Sequence, residues 1–296
     1  MKLLFAMTLL ISAGLKAEVI LTLHGSNTVG ADLVPKLVID YMGSMGAVDT
    51  ETEIRQENEI VITAHFNKQS SKSIVIHAHG SSTGFASLIA RKTDIAMSSR
   101  PIKHKENLLL MNTWGDMTHS DNEHVVALDG LAIVTHPKNP VKKLTIRQLA
   151  SIFSGETKNW KHLGGNNAAI NLYARDDMSG TYDTFNALVL KAQKKKLNGK
   201  AKRFESNSEL VAMVERDPKG IGFTGLAYAI DSMMVNVSAG EGLPEIKPAT
   251  FSVASEDYPL TRRLFLYGNT EKHPNPHVAA FIAHAKAIAA QQIVAN

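Results

Sequence analysis

Short β-branched and aliphatic runs alternate along this chain with longer stretches whose apolar residues recur every three or four positions, the periods of strands and amphipathic helices. The run at 20–23 is followed by a helical pattern through 33–41, and the run at 74–77 by one from 82 to 91. The unit returns as 170–173 followed by 181–191, and 221–224 reads as a further short strand. Strands that alternate with helices in this way predict an α/β fold. Between 41 and 60 the pattern lapses into a polar stretch, which predicts a turn and a mobile connection, an insertion at the surface of a lobe, leading into a strand over 60–65. Near the end, Val278, Phe281, Ile282 and Ala285 share one face of a helix predicted over 277–290, which would pack on the first lobe.

The chain has 296 residues, 44% of them hydrophobic. Single cores stop growing at roughly 250–300 residues, so two lobes are expected. The opening MKLLFAMTLLISAGLKA puts one lysine before an apolar stretch over 3–11 and then small residues, the layout of a secretory leader cleaved after Ala17. That stretch is shorter than the ~20 residues of a membrane-spanning helix, which disfavours the alternative of an anchor. Without Lys2 and Lys16 of the leader, the formal charge falls from +4 to +2, too mild to draw nucleic acid. The lysine-rich stretch over 191–203 accordingly reads as a solvated helix end. The absence of cysteine removes disulfides, thiolate metal sites and a cysteine nucleophile together.

Four turns rich in glycine and serine carry the candidate chemistry: HGSNT at 24–28, GSSTG at 80–84, MSSR at 97–100 and RDDMSGT at 175–181. Three of them precede a predicted helix, whose free backbone amides and partial positive charge favour an anion. Their small hydroxyl residues add O–H donors, and glycine lets the backbone approach an oxygen closely. Each turn alone reads more readily as an ordinary helix cap than as a ligand site. Their joint occurrence with Arg175, four residues before Ser179, points to a tetrahedral oxyanion, because a guanidinium presents paired donors that match two oxygens of phosphate or sulfate. Asp177 is near enough in sequence to orient Arg175 without touching the anion.

GSNTVG (25–30), AHGSSTGF (78–85), TDIAMSSRPI (93–102), the long block VVALDGLAIVTHPKNPVKKLTIRQLASIFSGETKNW (125–160), RDDMSGTYDTF (175–185) and DPKGIGFTGLAYA (217–229) together resemble the phosphate-binding proteins of bacterial phosphate ABC transporters, in particular a branch often fused to an outer-membrane-protein-A-like domain. The resemblance implies a type II periplasmic-binding-protein fold: two α/β lobes joined by crossover strands near 127–134 and 258–266, with a ligand cleft between them. Residues 1–17 would be the signal peptide, 18–128 with 259–296 the first lobe, and 129–258 the second. It also implies a ligand shell of Thr28 with the amide of Val29, Ser81, and Arg175 with Ser179, Gly180 and Thr181. Ser26, Ser82 and Ser99 stand beside them in the same turns, and Asp177 would hold Arg175. The expected function is periplasmic capture of inorganic phosphate by a monomer that delivers it to a membrane ABC permease, without catalysis, cofactor or nucleic acid. The alternatives are binding of another oxyanion such as sulfate, or a phosphate scavenger tethered to the cell wall through a further domain after Asn296.

One position departs from the better-known branch of that family, which carries an aspartate where this chain has Ser99, followed by Arg100. A carboxylate there would accept the proton of hydrogen phosphate and repel sulfate, and a serine repels much less. Asp129 in the ALDG sequence is the candidate replacement acceptor; its other reading is a partner for Arg100 at the hinge, with Arg100 behind the ligand shell. A hydrolase built on Ser81, Ser82 or Ser179 would need the GxSxG elbow, and GSSTG at 80–84 shifts off that spacing. His77 and His79 would share a strand face with His24 nearby, a conceivable zinc trio. No further ligand has recognisable spacing around them, so no metal is expected.

Overall fold

The computed structural model describes residues 17–67, 70–271 and 273–289. The leader read over 1–17 therefore lies, apart from Ala17, outside the described residues, as does the chain end at 293–296.

The first predicted unit forms β1 (Glu18–Gly25), a wide turn over Val29–Leu33 and α1 (Val34–Ser44). Then come β2 (Asp49–Gln56), β3 (Glu59–Phe66), β4 (Ser70–His77), α2 (Ser81–Ile89), β5 (Ile95–Ser98) and α3 (His104–Trp114). The long strand β6 (Glu123–Thr135) leads to β7 (Lys143–Thr145) and α4 (Ile146–Ser154), and onward to β8 (Asn171–Arg175), α5 (Gly180–Phe185), β9 (Lys202–Phe204), α6 (Asn207–Arg216) and β10 (Gly220–Gly225). The chain closes with β11 (Met234–Ser238), β12 (Glu245–Ile246), α7 (Thr250–Ala254), β13 (Thr261–Tyr267) and α8 (Pro276–Ala289).

The main strand order is β2-β3-β4-β1-β5-β13-β6-β10-β8-β9. β1 lies parallel to β4 and β5, whereas β13 runs antiparallel to β5 and β6. Strand β6 changes partners along its length: residues 123–130 pair with β13 and residues 131–135 with β10, while 133–134 also pair with β11. Separate apolar cores follow from this division. Leu21, Leu23, Val34 and Val126 share one with Phe281 and Ile282 of α8. Leu131, Ile133, Phe153, Phe185 and Phe223 share another, where the rings of Phe185 and Phe223 stack with centroids 4.0 Å apart. The chain changes core between Ala127 and Leu131, and returns between Leu260 and Leu264. Both passages lie in the stretches expected to cross between lobes.

Two local expectations need correction. The polar stretch 41–60 is not a mobile connection, because it contains β2, which pairs with β3 over most of its length around a turn whose Asn58 has φ 62°. The sequence DTETEIRQ lacks the apolar alternation of a half-buried strand because nearly all of β2 is exposed. It is an edge strand held by its backbone ladder, with charged side chains blunting the open edge. The helix expected over 181–191 is regular only across Gly180–Phe185, then widens and tightens before ending at Gln193. In the lysine-rich segment beyond, Lys194 takes a left-handed conformation and Lys195 pairs with Glu156.

Candidate functional site: a buried polar seam between the lobes

The four serine- and glycine-rich turns meet where the two cores face each other. Strand β1 ends at Gly25, and the next turn is tied down by the Ser26 amide donating to the Met97 carbonyl (2.9 Å) and the Val29 amide donating to Ser26 Oγ (3.4 Å). This buries Thr28. On the opposite lobe, Ser179 caps α5 by accepting from the Tyr182 amide at 3.3 Å, the capping role open to it from sequence. Thr181 is carried into the interface in the first turn of that helix.

The hydroxyls of Thr28 and Thr181 lie 3.0 Å apart across the seam. Ser81 and Ser99 are fully buried alongside, with the Ser99 amide donating to Ser81 Oγ at 3.0 Å and the two hydroxyls 3.4 Å apart. Gly180 is pressed against them: a Cβ on it would fall 2.1 Å from Ser81 Oγ and 2.6 Å from Ser99 Oγ, so any side chain would keep the lobes apart. The mouth of the cleft is equally tight, with the Ser82 amide donating to the Met178 carbonyl at 3.1 Å. At Gly80, φ of 119° and the Met178 carbonyl 2.6 Å from where a Cβ would stand both require glycine. The structure is thus a closed form.

Arg175, at the end of β8, is almost entirely buried. Its guanidinium is held by the carbonyls of Phe204 (3.2 Å) and Glu205 and by Asn207 Oδ1. Asn207 in turn donates through Nδ2 to Thr28 Oγ1 at 3.2 Å, which joins Arg175 to the threonine pair. Burial, and after it the positive charge of nearby Arg262, lower the Arg175 pKa to about 10 against the opposing influence of Asp176. A buried anion would remove that penalty.

Two sequence expectations about neighbours fail. Asp177 does not hold Arg175: its side chain is 81% exposed and pairs with Arg203 at 2.6 Å. The residue meant to orient Arg175 is replaced by backbone carbonyls and Asn207, none of which carries a charge that motif spacing would flag. Asp129 does not pair with Arg100. Arg262 of β13 donates to Asp129 Oδ2 through Nε (2.9 Å) and Nη2 (2.6 Å), and the Leu226 amide donates to Oδ1 at 3.2 Å. Three donors thus hold the carboxylate, two at Oδ2 and one at Oδ1. Arg100 instead pairs with Glu106 and Asp183, stacks over Phe85 and donates to Ser82 Oγ at 3.1 Å. Ser82 therefore faces Arg100 at the edge of the seam, apart from the threonine pair.

Sequence reasoning missed Asn27, Asn207, Tyr228 and Arg262. Asn27 Oδ1 accepts from both nitrogens of Asn207 across the lobes, and the Tyr228 hydroxyl donates to the carbonyls of Asn27 and Thr28. For Arg262 the available signal was a charged residue inside a predicted crossover strand. A groove of about 820 Å³ opens beside the seam, lined by Thr28, Asp129, Leu128, Leu226, Tyr228 and Val253 among others.

Histidines cluster at the cleft mouth: His24 stacks on His77 with centroids 4.3 Å apart, and His79 lies between Glu59 (3.0 Å) and Glu205 (2.6 Å). Burial, followed by repulsion from His77, lowers the His24 pKa to about 4. Among the described residues no group of three or more histidines and carboxylates is arranged to hold a metal ion. Ser81, Ser82 and Ser179 have no histidine among their hydrogen-bond partners within those residues.

Two α/β lobes closed over a buried, donor-lined seam define a solute-binding protein. Residues 48–285 match the PBP superfamily domain, and the chain belongs to that superfamily. It is similar to the phosphate-binding protein PstS of Borreliella burgdorferi, with 28% identity over 257 residues covering 85% of this chain and 86% of the relative. Its fold is similar to a putative phosphate ABC transporter substrate-binding protein with bound phosphate from Clostridium perfringens (TM-score 0.67, 25% identity, 89% and 91% of the two chains covered). An ABC-type phosphate transport receptor from Vibrio cholerae shares the fold at a TM-score of 0.64 and 23% identity, covering 93% of this chain and 96% of the other. No helix among the described residues is long and apolar enough to cross a membrane.

Proposed function

We propose that this protein is an extracytoplasmic solute-binding protein that captures phosphate in the interlobe cleft and presents its closed form to a membrane ABC permease. The observation that carries this reading is the convergence of Thr28, Ser81, Ser99, Gly180 and Thr181 from four separate turns, with Arg175 one residue behind them. Amides, hydroxyls and a guanidinium are the donor set for a tetrahedral oxyanion, and the relatives named for phosphate supply the ligand.

In this reading the first lobe (18–128 and 259–296) carries the Thr28 and Ser81 half-site, the Val29 amide expected there being turned to Ser26 Oγ in the closed form, and the second (129–258) carries Arg175 to Thr181. The anion bridges the halves, and the cleft closes because the closed state contacts the ligand better than the open one does. The chain works as a monomer in the periplasm after removal of the leader, and it catalyses nothing. A second reading, capture of another oxyanion such as sulfate, is favoured by the serine at position 99, which repels a fully ionised anion less than a carboxylate would. Calorimetric titration of the purified protein with phosphate and with sulfate tests both readings. Saturable one-to-one phosphate binding is the expected result, and heat from sulfate alone would transfer the function to the second reading. Absence of heat from either anion would refute both.

A further inference from the structure

Among the described residues, the threonine pair has more donors than acceptors. Thr28 Oγ1 receives Asn207 Nδ2 (3.2 Å) and Arg262 Nη2 (3.4 Å), and Thr181 Oγ1 receives Arg262 Nη1 at 2.9 Å. One of the two threonine protons is used in the bond between them. The other finds no acceptor in the seam, and neither does the second proton on Arg262 Nη1. Unpaired donors in a dry place are costly, and an incoming acceptor satisfies them. The acceptor that fits a site flanked by two guanidiniums is an anion.

We infer that Arg262 is a second anion-binding arginine of the cleft, delivered by the strand that joins the lobes, and that it touches the ligand beside Thr28 and Thr181 in the closed state. This rests on the reading above and adds to it a residue from the hinge side. Both its side chain and that of its partner are almost fully buried, at 4% exposed for Arg262 and 8% for Asp129, and the carboxylate holds the guanidinium through Nε and Nη2 in this closed form. With Arg175, the three charges leave one net positive charge facing the seam. The carboxylate orients Arg262 and leaves its Nη1 edge toward the threonines. Asp129 thus acts on the anion through Arg262, by fixing the direction of its guanidinium.

The test compares phosphate affinity, by calorimetry at pH 8, for the wild type, Arg262→Met, Arg262→Lys and the double variant Arg262→Met with Asp129→Asn. The single methionine variant strands a buried carboxylate and can fail to fold. The double variant removes both charges and keeps the net charge of the trio unchanged, so what it loses is direct contact. It is expected to fold, by circular dichroism, and to bind phosphate at least about a hundredfold more weakly. Arg262→Lys, which keeps the charge and loses the fork, is expected to fall between the two. A folded double variant that binds phosphate within threefold of the wild type, on the order of measurement scatter, overturns the role of Arg262 and leaves the phosphate reading standing. A wild type that binds neither phosphate nor sulfate removes that reading, and this inference with it.

Discussion

Gly180→Ala is the smallest change that should uncouple binding from folding. Gly180 is the first residue of α5, where alanine is also compatible with the helix, so the lobe that carries it should be no less stable. In the closed form the added methyl would stand 2.1 Å from Ser81 Oγ, where ordinary contact begins at 3.4 Å. Relieving that overlap requires the lobes to stay apart by more than about 1 Å, which stretches the 3.0 Å contact between Thr28 and Thr181 and the 2.9 Å bond from Arg262 to Thr181 beyond hydrogen-bonding range. Losing a hydrogen bond to a charged group costs about 1.5–3 kcal/mol, so phosphate affinity should fall by about 10- to 150-fold. Calorimetry measures the affinity and thermal melting without ligand measures the fold. An alanine variant that binds phosphate as tightly as the wild type would show that closure to this geometry is not part of binding.

Arg175→Ala should weaken phosphate binding by about a hundredfold or more while far-ultraviolet circular dichroism stays unchanged, because the groups that hold the guanidinium are largely backbone carbonyls of its own lobe; retained affinity would misplace the site. Asp177→Asn should change affinity by less than about threefold, since this exposed side chain pairs with Arg203 and not with Arg175; a large loss would restore it as the holder of Arg175. Burial opposes the charge of His79, but its bonds to Glu205 and Glu59 outweigh this and raise its pKa. The stabilisation it provides is therefore complete below the unfolded value of about 6.5 and is lost as pH rises through the raised folded value. Accordingly the melting-temperature gap between wild type and His79→Gln should shrink on going from pH 6 to pH 9, and a gap independent of pH would contradict the ion pair.

Much of this was legible because local chemistry and global fold agree. Strand, turn and helix follow one another in the hydrophobic pattern, and the four turns that looked like anion sites meet at one seam. The missing pieces were those whose signals are not local. Strand β2 is polar on both faces because it lies at a sheet edge, so periodicity could not announce it. Asn207 holds Arg175 from 32 residues away and Arg262 reaches Asp129 across 133, separations that only the topology of β6, β13 and β10 closes. Asp177 was the error of proximity: two residues along a turn from Arg175, it points to Arg203 instead.

The most direct test of the account is a crystal structure of the protein grown with arsenate, a tetrahedral phosphate mimic whose anomalous scattering locates it without ambiguity. The account predicts a single strong arsenic peak in the seam, with anion oxygens within hydrogen-bonding distance of Thr28, Ser81, Arg175 and Thr181. A peak confined to the cleft mouth or the outer surface, with the seam closed and empty, would contradict it.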